Sequence, residues 1–399
     1  MNETKRPAVR FKGFSDEWKP HPMDELTTEL HEYATLDSLY PLLTSSREGI
    51  MFQNEYRSNR TTENSKTLFS IVPYGKCTYR HMSDDDIFHF NINDIVENGL
   101  VSREYPVFDS TDGNDLRFIV TLLNSSARFR KFCRERKIGG TRTRLYYKDL
   151  SNFKPLCPEF DEQQSIAEFL DGITSIISQH QSKLEKLQAL KVSMLEKMFP
   201  KDGSDVPEIR FKGFSSEWER KKFSELYERV SQKNDMTFGV DKIISVANMY
   251  FNPNVNVTDP EYLRTYNILR LGDIAFEGNK SKRFKHGRFV ENTIGDGIVS
   301  HVFEVFRPIC ELDLTYWKYA INNEQIMGKI LVRCTKASTM MTNLVAKDFL
   351  EESILFPEID EQRKIGAALA EIDLLISLQQ QELGKLQSIK KALLEKMFV

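Results

Sequence analysis

Residues 9–18 read VRFKGFSDEW, and residues 209–218 read IRFKGFSSEW; this repeated motif decides the fold. The two copies share eight of ten residues at an offset of 200. PEFDEQ at 158–163 returns as PEIDEQ at 357–362, and LEKMF at 195–199 returns unchanged 199 residues later. Three matches in one order at nearly one offset indicate a tandem duplication.

The segments between these repeats differ much more. One echo is GLVS at 99–102 against GIVS at 297–300, at an offset of 198. SIV at 70–72 aligns with SVA at 245–247, at an offset of only 175. That alignment would put extra residues before the strand in the first half and after it in the second. A shared frame around two diverged modules is expected when each module reads something different.

Each half ends in a pattern typical of a long amphipathic helix. An acidic helix start is followed by no proline until Pro200. Ten positions spaced alternately by four and three cover 166–198, and eight of them are apolar. The corresponding ten positions of the second copy, over 365–397, also include eight apolar residues. This heptad seam predicts a helix over 161–199, which would be roughly 58 Å long at ~1.5 Å per residue.

A helix of this kind needs a partner, and the other copy is the nearest one. An antiparallel pairing would bring the polar seam residues His180 and Gln379 into one layer and place the variable domains at opposite ends. The expected fold class is α+β: two mixed α/β domains joined by two long antiparallel coiled-coil helices, in a pseudo-two-fold tandem duplication. The predicted segments are domain 1 (1–157), helix 1 (158–200), linker and domain 2 (201–356), and helix 2 (357–399).

The apolar stripe of these helices is wider than a two-helix seam requires. The sequence leaves two explanations open: packing of each helix on its own variable domain, or a docking surface for helices of another protein. We predict partner binding for five apolar residues beside the seam: Phe169, Ile176, Leu190, Leu375 and Ile389.

The composition is that of an ordinary globular protein with two to four domains: 399 residues, of which 40% are hydrophobic and 28% charged. The net charge of −3 excludes a uniformly basic, histone-like binder but allows local basic patches. Five cysteines without a C-x-x-C pair argue against a disulfide framework or a zinc ribbon, and favour the cytoplasm. No apolar run is long enough for a membrane span, and no signal-peptide core follows the N-terminus.

Two basic segments occupy corresponding places in the variable domains. Nine Lys and Arg residues lie within 128–148, around the glycine pair at 139–140. A second cluster covers 280–288. Further cations precede residues 337–340, which occupy almost the same place as the Gly140-Thr141 loop. Glycines among Arg and Thr suit a backbone that approaches phosphates closely. One charge run is usually a solvated face, but two in equivalent places predict DNA contact. An aromatic and basic cluster at 74–81 would read base edges or cap a strand.

The predicted DNA-binding residues therefore fall into two sets. In the first domain they are Tyr74, Lys76, Arg80, Arg128, Arg142, Thr143, Arg144 and Lys148. In the second domain they are Lys280, Lys282, Arg283, Lys285, Arg288, Arg333 and Lys336.

Motifs of catalysis are missing from the sequence. It contains no G-x-x-x-x-G-K-[ST], G-x-G-x-x-G, G-x-S-x-G or H-E-x-x-H. His81, His89 and the acids at 84–86 resemble a metal-binding set, but three consecutive carboxylates are more typical of a polar turn. We predict neither catalytic nor metal-binding residues, and a chain that reads without chemistry of its own.

The repeated motifs, taken in order along the whole chain, resemble the specificity subunit of type I restriction–modification systems. They are RFKGF with Trp18, PEFDEQQSIA from residue 158, and the long helix to Met198-Phe199, each present twice. The resemblance implies two target-recognition domains, each reading one half of a split, asymmetric DNA target, and helices that fix the gap between the half-sites.

The resemblance also implies partners. Two methyltransferase (modification) subunits would dock on the helices and bind S-adenosylmethionine, and two ATP-dependent restriction and translocase subunits would complete the complex. S-adenosylmethionine, ATP and Mg would belong to those subunits, and this chain would hold no cofactor. The competing hypotheses are a duplicated coiled-coil scaffold without sequence-specific DNA binding, and the targeting portion of a single-chain restriction enzyme. The absence of a catalytic block argues against the last.

Overall fold

The computed structural model describes residues 5–56, 66–136, 142–201, 203–257, 259–337 and 341–399. They form two compact units: unit 1 comprises Met1–Gln181 and Glu382–Val399, and unit 2 comprises Ser182–Gln381. Each unit thus holds one variable domain together with one end of each long helix. The predicted division of the chain at 157, 200 and 356 stays a prediction. In the part of the chain described, none of the helices has the length and apolar character needed to cross a membrane.

The variable domain of unit 1 is built from short antiparallel strands. They are β1 (Lys19–Pro20), β2 (Thr27–Glu29), β3 (Tyr33–Ala34), β4 (Leu43–Ser46), β5 (Gly49–Phe52), β6 (Phe69–Pro73), β7 (Cys77–Tyr79), β8 (Met82–Ser83), β9 (Phe90–Ile92), β10 (Asn98–Ser102), β11 (Val107–Ser110), β12 (Thr143–Arg144) and β13 (Leu156–Cys157). The helices are α1 (Met23–Leu26), α2 (Gln53–Tyr56), α3 (Leu116–Ser125), α4 (Ala127–Glu135), α5 (Tyr147–Leu150) and the long α6 (Phe160–Lys197). The main sheets have the strand orders β2-β11-β7-β9 and β10-β6-β3.

Unit 2 repeats this plan. Its strands are β14 (Glu219–Lys222), β15 (Tyr227–Val230), β16 (Ile244–Ser245), β17 (Tyr250–Phe251), β18 (Asn267–Leu269), β19 (Ile274–Glu277), β20 (Arg288–Glu291), β21 (Gly297–Val299), β22 (Glu304–Pro308), β23 (Thr335–Ala337), β24 (Thr342–Leu344) and β25 (Ser353–Phe356). The helices are α7 (Phe223–Leu226), α8 (Leu314–Ala320), α9 (Glu324–Cys334), α10 (Ala346–Glu351) and the long α11 (Ile359–Met397). The main sheet has the order β15-β22-β19-β20, which matches β2-β11-β7-β9 of unit 1.

Strand register corrects one alignment made from the sequence. Val72 lies opposite Gly99 in unit 1, and Leu269 lies opposite Gly297 in unit 2. Residues 70–72 therefore correspond to 267–269, and their predicted alignment with 245–247 is wrong. Three residues that share one serine carry too little information to fix an alignment when the true counterpart is Asn-Ile-Leu.

The repeated motifs form the frame that supports each domain. The Arg10 guanidinium donates from Nε and Nη2 to both carboxylate oxygens of Glu162, each at 2.6 Å. Arg210 makes the same two bonds to Glu361, at 2.6 and 2.8 Å. Both glutamates are buried, and a buried charge is tolerated only with a well-placed partner. This requirement links the arginine of one motif to the glutamate of the other, about 150 residues away.

The glutamine that follows each of these glutamates joins the long helix to the domain. Gln163 accepts a hydrogen bond from the backbone N–H of Asp115 and donates to the carbonyl of Pro158. Gln362 does the same with Asp313 and Pro357. The two aspartates cap the N-termini of α3 and α8 through their side chains. One side chain therefore sets the position of a domain helix against the start of the long helix.

The long helices run antiparallel within each unit. In unit 1, Lys390 donates to Thr174 at 2.7 Å, while Met397 lies in one core with Ile166 and Leu170. The α11 residue numbers therefore fall as the α6 numbers rise, which confirms the predicted direction within this unit.

Unit 2 has the same arrangement. Lys191 pairs with Asp373 at 2.5 Å, and Met198 packs in one core with Ile365 and Leu369. The expected α+β fold with paired long helices is thereby confirmed. The layer proposed for His180 and Gln379 stays a prediction.

The first long helix ends two residues before its predicted end. It stops at Lys197, and Phe199 turns into the core of unit 2, where its ring stacks on Tyr316 with 5.6 Å between centroids. Phe199 also makes an edge contact with Trp218 of the repeated motif. Met198 and Phe199 lie beyond the end of the helix but are buried. The apolar pattern therefore extends past the last helical residue.

Candidate nucleic-acid interface

The structure brings two distant segments of unit 1 together as a two-stranded ribbon. In β8 and β12, Met82 lies opposite Arg144 and Ser83 opposite Thr143. The ladder is extended by a hydrogen bond from the N–H of Leu145 to the carbonyl of His81, at 2.8 Å. We call residues 80–84 with 142–146 ribbon 1.

Ribbon 1 has one buried and one exposed face, because successive side chains of a strand point to opposite sides. The buried side chains are His81, Ser83, Thr143 and Leu145. The outward face carries Arg80, Met82, Asp84, Arg142 and Arg144. Three of the cations predicted to contact DNA therefore lie on one surface.

The arginines of this face differ in their surroundings. Arg142 donates from Nε to Asp84 at 2.7 Å, and its side chain stays 54% exposed. Neither Arg80 nor Arg144 forms an ion pair with any residue that the structure describes, and both are exposed. Lys148, on the first turn of α5, is likewise exposed. These three cations are available to a ligand without breaking an ion pair inside the described chain.

The buried face of ribbon 1 is held by aromatic stacking. His81 is 4% exposed, and its ring stacks on Tyr146 at 5.1 Å between centroids. Burial lowers the pKa of His81 below its ordinary value, although Glu104 opposes the shift, so the imidazole is neutral at pH 7. His81 therefore supports the ribbon and adds no charge to it. Thr143 is buried as well, and its hydroxyl donates to Asp86.

Other predicted contacts of the first domain lie elsewhere. Lys76 forms an ion pair with Asp109 in the four-stranded sheet. Tyr74 occupies the turn between β6 and β7 and is exposed, and Arg128 belongs to the first turn of α4. The glycine pair at 139–140 and Thr141 lie outside the residues described. The structure thus groups the predicted set around ribbon 1 without placing all of it there.

Unit 2 contains a matching ribbon. The N–H of Thr342 donates to the carbonyl of Gly278 at 2.8 Å, and Asn279 forms a bridge to Met341. These pairs lie 197 residues after Leu145 with His81 and after Arg144 with Met82. We call residues 278–280 with 341–343 ribbon 2.

The outward face of ribbon 2 has different chemistry. Asn279, Met341 and Asn343 are exposed, and Lys336 lies opposite Asn343 in the β23–β24 hairpin. Gly278 faces inward, where a Cβ would collide with the carbonyl oxygen of Thr342. The ribbon therefore requires glycine at this position, whereas its outer positions carry no such restriction.

The basic segment at 280–288 leads away from ribbon 2. Lys282, Arg283 and Lys285 are exposed, and the guanidinium of Arg283 lies over the ring of Phe284 at 5.1 Å. Lys280 is exposed too. The segment places several cations next to an amide-bearing face.

Two predicted cations of unit 2 are engaged inside the domain. Arg288 donates to Glu277 at 2.7 Å and to the carbonyl of Ala247 at 2.6 Å. Arg333 donates to both carboxylate oxygens of Glu352. Arg288 and Arg333 therefore have structural roles inside the domain, which the pattern of charges in the sequence did not predict. Of residues 337–340, which were compared with the Gly140-Thr141 loop, 338–340 lie outside the described part of the chain.

The three consecutive acids of unit 1 form a turn that binds side chains. Asp84 accepts from Arg142, and Asp85 accepts from Arg47 at 2.6 Å. Burial alone would raise the pKa of Asp85, but hydrogen bonds from Ser83 and Arg47 lower it below its ordinary value. Arg47 was missed from the sequence, because nothing near it in the chain shows that it meets this turn. Among the described residues, no group of three or more His, Cys, Asp or Glu side chains has an arrangement suited to a metal ion.

The five apolar residues predicted to bind partners are exposed on the long helices. Their exposed fractions run from 41% to 51%. Both explanations of the wide apolar stripe, packing on the variable domain and docking of another protein, stay predictions. Phe169 is partly occupied, since its ring makes an edge contact with Phe11 at 5.5 Å. The remaining four are Ile176, Leu190, Leu375 and Ile389.

Comparison with solved structures shows that this architecture is known. The chain is similar to the type I restriction–modification system S subunit from M. genitalium, with a TM-score of 0.60, 14% identity and coverage of 99% of both chains. A chain from a structural study of complex assembly and conformational transition of the type I R-M system aligns with a TM-score of 0.50 and 14% identity, over 96% of this chain and 97% of that one. The HsdS subunit from Thermoanaerobacter tengcongensis aligns at 15% identity over 96% of each chain, with a TM-score of 0.45.

The first two of these similarities establish a shared fold over nearly the whole chain. No family model and no curated protein matches the sequence. The fold is thus recognisable from structure at an identity of 14%, where sequence comparison finds no relative.

Proposed function

We propose that this chain is the non-catalytic DNA-recognition subunit of a type I restriction–modification complex. The observation that carries the proposal is the pair of ribbons, which occupy the same register in the two units and present different side chains. The shared ribbon backbone alone would also be expected of a duplicated scaffold, so the different side chains carry the argument. Different outward faces on a shared frame are what two readers of different half-sites require.

The ribbons suit the major groove of DNA. This groove is about 12 Å wide and admits a two-stranded β-ribbon, whose outer side chains then meet the base edges. Arg142 and Arg144 on ribbon 1 have the donors that guanine accepts, and Asn279 and Asn343 on ribbon 2 have the amides that pair with adenine. Each well-placed bidentate contact contributes about 1–3 kcal/mol of discrimination.

Electrostatic contacts would set the position of the duplex. Lys148 beside ribbon 1, and Lys282 and Lys285 beside ribbon 2, are exposed and suited to phosphate oxygens. Binding through such lysines weakens as salt rises, because counterions are released from the DNA. The remaining predicted cations, including Lys280, Arg283 and Lys336, belong to the same proposed surface in unit 2.

The proposed partners are those that the resemblance implies, and the exposed helix residues would bind them. Two methyltransferase subunits would bind the apolar side chains at Ile176, Leu190, Leu375 and Ile389, with Phe169 at the rim. They would supply S-adenosylmethionine, and two restriction subunits would supply ATP and Mg chemistry. The long helices would fix the gap between the half-sites. The proposed location of the complex is the cytoplasm, where its DNA is.

The decisive experiment maps methylated adenines in genomic DNA after exposure to this chain with its methyltransferase subunit. We expect methylation within one asymmetric motif made of two half-sites at a constant gap. Scattered methylation, or DNA binding that stays non-specific with the partner present, would favour the duplicated scaffold instead.

A further inference from the structure

We propose that Arg47 and Arg142 form a pair of guanine-reading side chains in the first recognition domain, positioned by the acidic turn at 84–86. This inference rests on the DNA-recognition function proposed above and adds Arg47 to the reading surface.

Both arginines are tethered to one turn and remain largely in solvent. Arg47 lies in the turn between β4 and β5, and its Nη2 donates to Asp85 Oδ2 at 2.6 Å. Arg142 donates from Nε to Asp84 Oδ1 at 2.7 Å. The arginine side chains are 63% and 54% exposed. Two guanidinium groups from segments 95 residues apart in the sequence are thereby anchored at consecutive positions.

The turn that holds them is itself fixed to the buried side of ribbon 1. The hydroxyl of Ser83 donates to Asp85 Oδ1 at 2.8 Å and accepts from the N–H of Ile87 at 3.1 Å. Thr143, across the ribbon, donates to Asp86. Ser83 and Thr143 are buried, so the carboxylates project from a packed support. The arginines are therefore positioned before any ligand arrives.

The hydrogen bonds leave the donors that a guanine needs. Asp84 engages Nε of Arg142, so the two terminal nitrogens have no partner among the residues described. Asp85 engages only one terminal nitrogen of Arg47. A guanidinium held in this way presents a planar fork that matches the O6 and N7 acceptors of guanine in the major groove.

The local charge favours a base edge over a phosphate. Two arginines and three aspartates give the turn a formal charge of −1, which disfavours an anionic group. The same turn of unit 2, 197 residues later, carries Ser281, Lys282 and Arg283 and has no carboxylate. That turn is suited to phosphate, so the two units use one position of the fold for different parts of the duplex.

The test uses the full chain assembled with its methyltransferase subunit and a pool of random-sequence DNA duplexes. The variants are Arg47→Gln and Arg142→Gln. Arg264→Gln is the control, because Arg264 forms an exposed ion pair with Glu261 of similar geometry in unit 2. We expect the wild-type protein to enrich a motif with guanines in one half-site. Each variant should lose the preference for one guanine and bind the wild-type motif about tenfold less tightly or worse, with the other half-site unchanged.

Two further measurements identify the contact. Replacing the affected guanine by 7-deazaguanine removes N7, and it should weaken the wild-type protein but not the matching variant. Arg47→Lys keeps the charge, and lysine can also donate to O6 and N7 of guanine, so this variant should retain part of the guanine preference that Arg47→Gln loses. Wild-type binding that does not respond to 7-deazaguanine would overturn the proposal.

The outcomes separate this inference from the function on which it rests. If the wild-type complex enriches no motif, the DNA-recognition function itself is wrong. If a two-part motif is enriched but both glutamine variants keep every guanine preference, only the guanine-reading pair is wrong. A uniform loss of affinity for all sequences would assign the arginines to phosphates and would also overturn it.

Discussion

The two units place opposite charges at equivalent positions of their corresponding four-stranded sheets. In unit 1, Lys76, one residue before β7, pairs with Asp109 of β11. In unit 2, Asp273, one residue before β19, pairs with Arg307 of β22 through two hydrogen bonds of 3.0 and 2.9 Å. The ion pair has been kept and its polarity reversed.

The backbone shows that these positions are equivalent. The N–H of Asn93 donates to the carbonyl of Lys76, and the N–H of Asn292 donates to the carbonyl of Asp273. Both asparagine side chains also bond to the neighbouring strand. The duplication has therefore preserved geometry and interactions while the residue types changed, which is also the relation between ribbons 1 and 2.

The largest effect is expected at the frame, where the two units agree. Arg210→Ala leaves Glu361 buried without its cationic partner, and breaking a buried pair in this way costs about 3–5 kcal/mol of unfolding free energy. Arg10→Ala should cost unit 1 a similar amount, since Glu162 is equally buried. Denaturant unfolding measures the loss, and hydrogen exchange of β20 and β9 assigns it to a unit.

The matched control is Lys19→Ala, which breaks an exposed pair with Glu159. It should change the unfolding free energy by less than about 1 kcal/mol. A frame substitution that is no more costly than this control would show that the repeated arginine and glutamate do not hold the domains.

A pH effect should distinguish the units. Glu291 in unit 2 is 2% exposed, and neither carboxyl oxygen has a partner among the described residues, whereas its counterpart in unit 1 is Ile92. Burial, with a smaller contribution from Asp313, raises the pKa of Glu291 from 4.5 to about 9. The folded protein thus keeps a proton that the unfolded chain releases, so stability falls as pH rises between these values, by about 1.4 kcal/mol per pH unit.

Glu291→Gln should remove this dependence. The variant should be more stable than wild type at pH 8 and gain little at pH 4.5, with the difference confined to unit 2. Hydrogen exchange of β20 against β9 at the two pH values is the measurement. An equal gain at both pH values would mean that the carboxyl is not protonated in the folded state.

The reversed ion pair offers a smaller, more selective test. Lys76→Asp places two carboxylates together in the half-buried site of unit 1 and should cost about 2 kcal/mol. Adding Asp109→Arg recreates the polarity of unit 2 and should restore most of the loss. A double variant no more stable than the single one would show that the two sites are not interchangeable.

The smallest effect is expected at the proposed phosphate contacts. Lys282→Gln should weaken binding to random DNA uniformly and reduce the slope of log affinity against log salt by about 0.9. Lys201→Gln, at a lysine already paired with Glu208, is the control. An unchanged slope would remove Lys282 from the DNA-binding surface.

The frame was predictable from the sequence because its signals are local or repeated. Heptad spacing located both long helices, and the repeated strings gave the duplication. The ribbons were not predictable, because segments about 60 residues apart must pair before their alternation becomes visible. Charge runs located the basic segments but not their partners: Lys76 meets Asp109, and Arg333 meets Glu352, across intervals that no local pattern spans.

The inward position of Gly278 and the open positions beside it have a consequence for how such a protein changes over generations. Asn279, Met341 and Asn343 are exposed and lie outside the buried core, so replacing them should change the free energy of unfolding little. These positions can then change one at a time during evolution, while Gly278 and the backbone hydrogen bonds of ribbon 2 stay the same. Under the proposed function, a few substitutions at these positions would change the DNA target while the fold stays the same.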